Sequence, residues 1–107
     1  MSTKLALVDA LQIVSEPHRR EILRLTWDRE LSAGEIAARF DVTFGAVSQH
    51  LGVLRAAGFV RERRAGNHRY YRADRDRLGP LGRALEAMWS DALDRLAESV
   101  EAEERGP

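Results

Sequence analysis

The fold is decided by residues 43–60, which run TFGAVSQHLGVLRAAGFV. Thr43 is a favoured N-cap residue, so it predicts the start of a helix. Gly58 predicts the end, because glycine adopts at low cost the left-handed conformation that commonly follows a helix. The apolar positions that recur along one helical face are Val47, Leu51 and Leu54. The stretch therefore predicts a helix whose opposite face is small or polar.

A capping pattern marks the start of a shorter helix just before this stretch. The Ser32 side chain can accept a hydrogen bond from the Glu35 amide, and the Glu35 carboxylate can reach back to the Ser32 amide. Asp41 is expected in the tight turn that follows, where a short polar side chain tolerates left-handed geometry. The two helices predict a helix-turn-helix over about residues 32–57. The predicted apolar residues of the first of them are Ile36, Ala37 and Phe40.

Two further helices are predicted on the N-terminal side of the helix-turn-helix. Apolar residues recur at helical spacing over residues 4–15. Glu16 and Pro17 interrupt that pattern, and proline is favoured in the first turn of a new helix. The second helix is expected to end near Trp27. Its apolar side consists of Ile22, Leu23 and Leu25.

After the glycine that ends the long stretch, the apolar pattern becomes strand-like. Two strands joined by a turn of alanine, glycine and asparagine are predicted within about residues 59–73, at 59–64 and 68–72. Successive strand residues point to opposite faces, so one of Tyr70 and Tyr71 is expected in the core. This hairpin is the candidate wing, a β-hairpin placed beside a helix-turn-helix.

A last helix is predicted over about residues 81–103, with one continuous apolar stripe. Its length would be about 33 Å, whereas a 100-residue domain has a radius of gyration of only about 13 Å. The helix at residues 4–15 is also apolar on more than one face. We therefore expect both helices to form a homodimer interface, with packing inside one chain as the alternative. The candidate interface residues are Leu5, Val8, Leu11, Leu85, Met88, Trp89, Ala92, Leu93 and Leu96.

The formal net charge is zero, but the charges are unevenly distributed. Residues 55–77 contain eight arginines and three acidic residues, a net charge of +5. Residues 85–107 contain seven acidic residues and two arginines, a net charge of −5. A basic segment suits phosphates and an acidic one suits solvent or a partner, although both segments could simply be solvated surface.

Composition narrows the class of protein. With 107 residues, of which 44% are apolar and 32% charged, the chain suits a single globular domain over residues 1–107. It contains no cysteine, which excludes disulfides and thiolate metal ligands. No apolar run approaches the roughly 20 residues of a membrane-spanning helix, and the N-terminus lacks the pattern of a secretion signal. We expect a cytoplasmic protein without a cofactor.

The second helix of a helix-turn-helix enters the major groove and contacts bases through its N-terminal residues. Gln49 can bond adenine through two hydrogen bonds, and Ser48 can contact a base or a phosphate. Phe44 can meet a thymine methyl group or, alternatively, pack back onto the core. Wing arginines suit phosphates or the minor groove. The candidate DNA-contacting residues are Thr43, Phe44, Gly45, Ser48, Gln49, His50, Arg55, Arg63, Arg64, Asn67, His68 and Arg69.

Four segments together resemble the ArsR/SmtB family of bacterial repressors. They are EPHRREIL at 16–23, LSAGEIA at 31–37, VSQHLGVLRAAGFV at 47–60 and RRAGNHRYYR at 63–72. The resemblance covers about residues 5–100, and the third segment is its most specific part. It implies a mainly α fold with a small β-hairpin, a dimeric winged helix-turn-helix. It also implies binding to an inverted-repeat operator and repression that an inducer relieves.

The resemblance also points to metal sensing, but this chain departs from the usual sites. Many members bind metals through a Cys-x-Cys pair, and those positions are Ser32 and Gly34 here. Others use Asp and His on the last helix, which contains no histidine here. Histidines 18, 50 and 68 form no recognisable ligand set, so no metal site is expected. A nonstandard site of carboxylates with one histidine across the dimer is left open, as is an unknown small-molecule or ion inducer.

The sequence therefore predicts a sequence-specific DNA-binding transcriptional regulator, a repressor that acts as a homodimer on double-stranded DNA. One alternative is a winged-helix protein-interaction module that does not bind DNA. Another is a metal-responsive repressor with a nonstandard carboxylate and histidine site. An enzyme is not expected, because no nucleophile motif, paired catalytic carboxylates or phosphate-binding glycine loop occurs.

Overall fold

The computed structural model describes the backbone of residues 3–105 and the side chains of residues 7–101. Contacts divide the chain into two compact units, residues 1–77 and residues 78–107, which are described separately. The elements run in the order α1 Thr3–Ser15, α2 Pro17–Leu25, β1 Leu31–Ser32, α3 Ala33–Ala37, α4 Phe44–Ala56, β2 Val60–Ala65, β3 His68–Ala73, α5 Arg75–Leu78 and α6 Pro80–Arg105. This mainly helical winged helix-turn-helix confirms the expected fold class.

Helices α1 and α2 are separated at the predicted break. Glu16 is the N-cap of α2, its carboxylate accepts a hydrogen bond from the Arg19 amide, and Pro17 occupies the first turn. Helix α2 ends at Leu25, near the predicted end, and the hydroxyl of its C-cap residue Thr26 donates to the Ile22 carbonyl at 2.8 Å. Trp27 then lies beyond the helix as a buried residue.

The helix-turn-helix consists of α3, the turn that follows it and α4. The capping box predicted for Ser32 and Glu35 is present in both directions. The inward face of α4 is confirmed, since Val47, Leu51 and Leu54 are buried together with Ile36 of α3. Helix α3 stops at Ala37, so Phe40, which was expected in this helix, lies in the turn.

The left-handed conformation expected for Asp41 is wrong. No non-glycine residue among those described has a positive φ. The amides of Ala38, Arg39 and Phe40 donate in succession to carbonyls three or four residues earlier. The chain therefore leaves α3 through overlapping right-handed turns, and no left-handed residue is needed to reverse its direction.

The wing is an antiparallel hairpin of β2 and β3, as predicted. Gly66 in its turn has a φ of +61°, and Gly58, which ends α4, has a φ of +80°. Tyr71 is buried whereas Tyr70 is half-buried, which confirms that one tyrosine belongs to the core. The sheet has a third strand that was not predicted, since β1 pairs with β3 and gives the order β1-β3-β2.

Residues after the wing include a short helix that was not predicted. Asp74 caps α5 by accepting a hydrogen bond from the Arg77 amide at 3.1 Å. The second unit is essentially α6, which begins at Pro80 after Gly79 with a φ of +54°. Among the described helices, none combines the length and the apolar character that a membrane span requires.

Candidate nucleic-acid interface

The first two turns of α4 present an uncharged outer face. Thr43 caps the helix through its hydroxyl, which accepts from the Ala46 amide at 3.1 Å. Gly45, Ser48 and Gln49 are exposed on the side opposite the buried residues of α4. Within the described part of the chain, no hydrogen bond holds the side chain of Ser48 or Gln49. Both are therefore available to a partner.

Phe44 stands at the tip of this face. Its side chain is 58% exposed, so it does not pack back onto the helix-turn-helix core. The exposed ring leaves apolar area in contact with water, and a partner could bury it. Phe44 therefore belongs with the outward residues.

His50 is turned away from the other outward residues of α4. Its side chain is only 19% exposed, and its Nδ1 lies 3.7 Å from a carboxylate oxygen of Glu16. The Arg19 guanidinium donates to the same nitrogen at 3.3 Å, and the His50 ring stacks on the His18 ring with 5.5 Å between centroids. The structure thus places His50 against α2 and does not bring it together with Ser48 and Gln49.

The wing supplies the cations of the candidate interface. At its tip, Asn67 and His68 are exposed beside the turn. Arg63 donates to Glu30 at 2.6 Å and lies over the Tyr70 ring, 4.8 Å from its centroid. This hydrogen bond raises the pKa of Arg63 and lowers the pKa of Glu30. Arg63 is therefore already engaged.

Glu62 of β2 is a shared partner for three other arginines. Its carboxylate is only 12% exposed and lies 3.3 Å from Arg55, 3.4 Å from Arg64 and 3.9 Å from Arg69. The Tyr71 hydroxyl donates to it at 3.5 Å. These distances are long for ion pairs, and pairs whose arginines are half exposed contribute roughly 0–1 kcal/mol each. The three arginines are 53–66% exposed, so an external anion can reach them.

A cleft of about 320 Å³ lies between α4 and the wing. It joins the outward residues of α4 to the wing tip and is open to solvent. The start of α3 also lines it, including Ser32 and Gly34, where the Ser32 hydroxyl is used to cap α3. Its other lining residues include Phe44, Ser48, Asn67, His68 and Arg69. Base-contacting and phosphate-contacting candidates thus border one concave surface.

The remaining arginines of the basic segment lie at the far end of the wing from its turn. Arg61 donates to Asp74 at 2.8 Å, and Arg75 lies 3.3 Å from Asp28. The hydrogen bond from Arg61 is the main reason that the pKa of Asp74 lies below its usual 3.8. The Arg77 amide adds to this, and burial opposes it. The net charge of +5 therefore consists largely of arginines with acidic neighbours, which charge counting alone did not reveal.

Most of the candidate interface residues that the structure describes are exposed. Val8 and Leu11 of α1 are exposed, and so are Met88, Leu93 and Leu96 of α6. Ala92 is also exposed, and Trp89 is half-buried. The side chain of Leu5 lies outside those described. Leu85 differs from these residues, because it is only 5% exposed.

Two histidines and a carboxylate meet where α2 begins. Glu16, His18 and His50 place their potential ligand atoms within 4.8 Å of one another, the one such group of three among the described residues. The structure thus brings His18 and His50 together with one carboxylate, a grouping that the sequence did not predict. Burial raises the pKa of Glu16, but hydrogen bonds with His18 and the Arg19 amide outweigh it and leave this pKa below 4.5.

Comparison with known proteins places this chain in a family. A helix-turn-helix domain family matches residues 14–63. The HTH-type transcriptional regulator Rv2034 of Mycobacterium tuberculosis is 36% identical over 103 residues, which cover 96% of each chain. The ArsR-like transcriptional regulator from Rhodococcus sp. RHA1 has a TM-score of 0.67 at 29% identity, covering 95% of this chain and 96% of that chain. The chain belongs to the ArsR family of transcriptional regulators.

Two further similar proteins agree with a role in transcription. The transcriptional repressor SdpR of Bacillus subtilis is 33% identical over 63 residues, covering 59% of this chain and 70% of the relative. The solved structure of HlyU from Vibrio cholerae has a TM-score of 0.70 at 29% identity, covering 82% of this chain and 94% of that chain. This ArsR-family protein is thus a DNA-binding transcriptional regulator, as the sequence predicts.

Proposed function

We propose that this regulator is a homodimeric repressor that binds an inverted-repeat operator. The outer face of α4 lies in the major groove, and the wing lies along the flanking phosphates. The observation that carries the proposal is the exposed, uncharged first half of α4 beside a wing that presents exposed arginines. The two surfaces border one cleft of about 320 Å³. Groove contacts supply sequence preference, and phosphate contacts supply position and salt-dependent affinity.

The chemistry of α4 suits direct recognition of bases. The Gln49 amide can donate and accept at the same time, which matches the N6 and N7 groups of adenine in the major groove. Phe44 can cover a thymine methyl group, and Ser48 can serve a base or a phosphate. Gly45 has no side chain that would hold the helix away from the groove. A pair such as Gln49 and adenine contributes about 1–3 kcal/mol of discrimination against the wrong base.

The exposed apolar residues of α1 and α6 support a homodimer. Leu93 and Leu96 are 66% and 61% exposed on α6, and Leu7 and Leu11 are exposed on α1. Exposed apolar stripes on two helices favour burial against a second copy, since the same surface on both copies is self-complementary. Two copies then present two α4 helices to two half-sites.

Dimerisation is tested by light scattering on Leu93→Glu. This side chain is exposed in the single chain, so the substitution should leave the monomer folded while it introduces charge at the proposed interface. We expect the wild type to have the mass of a dimer at micromolar concentration and Leu93→Glu the mass of a monomer. Ser90→Glu, an exposed position of α6 off the apolar stripe, should stay dimeric. A monomeric wild type would exclude this part of the proposal.

Repression is the sign of regulation that the named repressors among its relatives support. One relative, HlyU of Vibrio cholerae, is named an activator, so a reporter assay must decide the sign for this chain. We place the protein with its DNA target in the cytoplasm and assign it no catalytic activity. Deleting its gene should raise expression from its own target promoter, and lower expression would contradict repression.

DNA binding is tested by a gel-shift titration with the DNA upstream of the protein's own gene. We expect retardation of this fragment at protein concentrations that do not retard a scrambled duplex, at low and at moderate salt. Equal affinity for both duplexes across salt concentrations would contradict specific regulation. Absence of binding to either duplex would favour the alternative, a winged-helix module that binds only proteins.

A further inference from the structure

We propose that Glu16, His18 and His50 form a binding site for one divalent transition-metal ion, of which Zn²⁺ fits best. The site joins the start of α2 to the middle of α4. Its ligands come from positions 16, 18 and 50, outside the cysteine pair and the last helix on which the resemblance places metal ligands. The inference stands apart from the proposed function, because metal binding is measured on the protein alone.

The distances suit a compact coordination shell. His18 Nδ1 lies 2.9 Å from one oxygen of Glu16, and His50 Nδ1 lies 3.7 Å from the other. Zinc bonds to nitrogen and oxygen are about 2.0–2.2 Å long, so the ligand atoms of a tetrahedral site are roughly 3.4 Å apart. The two observed separations fall on either side of that value. The ligand atoms of all three side chains lie within 4.8 Å of one another, so side-chain rotation must bring both imidazole nitrogens to one ion.

The donor set selects the ion. Two imidazoles and one carboxylate with an open fourth position are a known zinc arrangement, in which water occupies that position. Imidazole also suits nickel and copper, whereas Mg²⁺ and Ca²⁺ prefer oxygen ligands. All three side chains are partly exposed, at 29% for Glu16, 41% for His18 and 19% for His50. An ion and its water therefore have a path to the site.

The surroundings hold the ligands in place before any ion arrives. The Arg19 amide donates to Glu16 at 2.9 Å and fixes the carboxylate at the N-cap of α2. The Phe40 ring packs against His18 with 5.5 Å between centroids. The His18 and His50 rings are stacked, 12° from parallel, and must tilt out of this stack before both can bind one ion. Hydrogen bonds and packing that orient metal ligands raise metal affinity.

The Arg19 guanidinium competes with a metal ion for His50. Its guanidinium donates to His50 Nδ1 at 3.3 Å, and that nitrogen is the one that faces Glu16. Metal binding at this nitrogen must displace the guanidinium, whose positive charge also disfavours a cation nearby. Removing that charge should therefore strengthen metal binding, which a purely structural role for the cluster would not predict.

The experiment titrates tag-free protein with Co²⁺, whose visible absorption reports its coordination, and then displaces Co²⁺ with Zn²⁺ in the presence of a chromophoric chelator. We expect one ion per chain. His50→Gln, His18→Gln and Glu16→Gln should each weaken Zn²⁺ binding by more than about 10-fold, because each removes a ligand. Glu16→Gln keeps an oxygen that can cap α2, and thermal melts confirm that each variant is folded.

The matched control is His68→Gln, which removes the one histidine outside the cluster and should leave Zn²⁺ affinity unchanged. Arg19→Gln should bind Zn²⁺ several-fold more tightly than the wild type. The proposal is overturned if the wild type binds neither ion at micromolar concentration. It is equally overturned if Glu16→Gln and His50→Gln both retain wild-type affinity, or if His68→Gln loses binding.

Discussion

The outer face of α4 and the wing border the same cleft but are prepared for a partner in opposite ways. Ser48 and Gln49 are exposed, uncharged and without hydrogen bonds among the described residues. The wing arginines are charged, and Arg63 and Arg64 already face the carboxylates of Glu30 and Glu62. The outer face of α4 therefore has unused hydrogen-bonding groups, whereas the wing arginines already face carboxylates of the same chain.

This difference assigns different physical tasks to the two surfaces. The Gln49 amide has no hydrogen-bond partner among the described residues and gains two bonds only from a matching base such as adenine. The outer face of α4 should therefore control sequence preference. An arginine that leaves a carboxylate for a phosphate gains little from the exchange itself, so the wing should adjust affinity for any duplex. We therefore expect the internal carboxylates to weaken the contribution of the wing to binding of any DNA.

The largest effect is expected for Gln49→Ala. Loss of two hydrogen bonds to a base should weaken operator binding by about 1–3 kcal/mol, roughly 5- to 150-fold, and leave scrambled DNA unaffected. Titrations of both duplexes at one salt concentration check this. Val53→Ala, a partly exposed position later in α4, is the matched control and should keep the wild-type ratio. Equal losses on both duplexes would remove the distinction between α4 and the wing.

A smaller and uniform effect is expected for Arg64→Ala. Loss of one phosphate contact should weaken both duplexes equally and reduce the salt slope of log affinity by about one. Arg61→Ala is the control on the same strand, because Arg61 pairs with Asp74 at the other end of the wing. Affinities measured over a range of salt concentrations separate the two. A change in sequence preference in Arg64→Ala would contradict the task given to the wing.

Glu62→Gln should act in the opposite direction. The substitution removes the negative charge that three arginines share but keeps an oxygen for the Tyr71 hydroxyl. We expect tighter binding to scrambled DNA by a few-fold and a steeper salt slope, so that the operator preference falls. Glu21→Gln, which releases Arg24 on α2, should change neither quantity. Unchanged affinity in Glu62→Gln would mean that its carboxylate does not compete with phosphate.

The smallest effect concerns stability. The pKa of Asp74 is lower in the folded chain than its usual 3.8, chiefly because Arg61 donates to its carboxylate. The unfolded state therefore binds a proton first, and the stabilisation present above pH 3.8 is lost as the pH falls through the folded pKa. Thermal melts at decreasing pH should show a steeper loss for wild type than for Asp74→Asn. Parallel curves would show that this pair does not contribute.

Signals that lie close together in the sequence predicted most of the fold. The capping box at Ser32, the buried spacing of Val47, Leu51 and Leu54, and the glycine turns all depend on neighbouring residues, and all are present. Strand β1 was missed because its two residues pair with Tyr70 and Tyr71, almost 40 positions later. The low exposure of Leu85 was not foreseen, because an apolar stripe does not reveal which of its residues are buried.

In the candidate site, too, features set by neighbouring residues could be predicted, whereas features set by long-range packing could not. The outward residues of α4 followed from helical period, and the link from Glu62 to Arg64 could have been found from strand alternation, since residues two apart share a face. The cluster of His18 and His50 could not, because 31 intervening residues separate them and only the packing of α2 on α4 brings them together. Orientation of His50 toward α2 likewise depends on that packing.

The central claim is that Gln49 on α4 recognises a base. The most direct measurement replaces each adenine of an operator half-site in turn with 7-deazaadenine, which removes only the N7 acceptor, and compares wild type with Gln49→Ala. We predict one position at which the replacement weakens wild-type binding but does not weaken Gln49→Ala any further, since the two changes remove the same interaction. If the losses at every adenine were the same for both proteins, Gln49 would not contact adenine N7, and the claim would be contradicted.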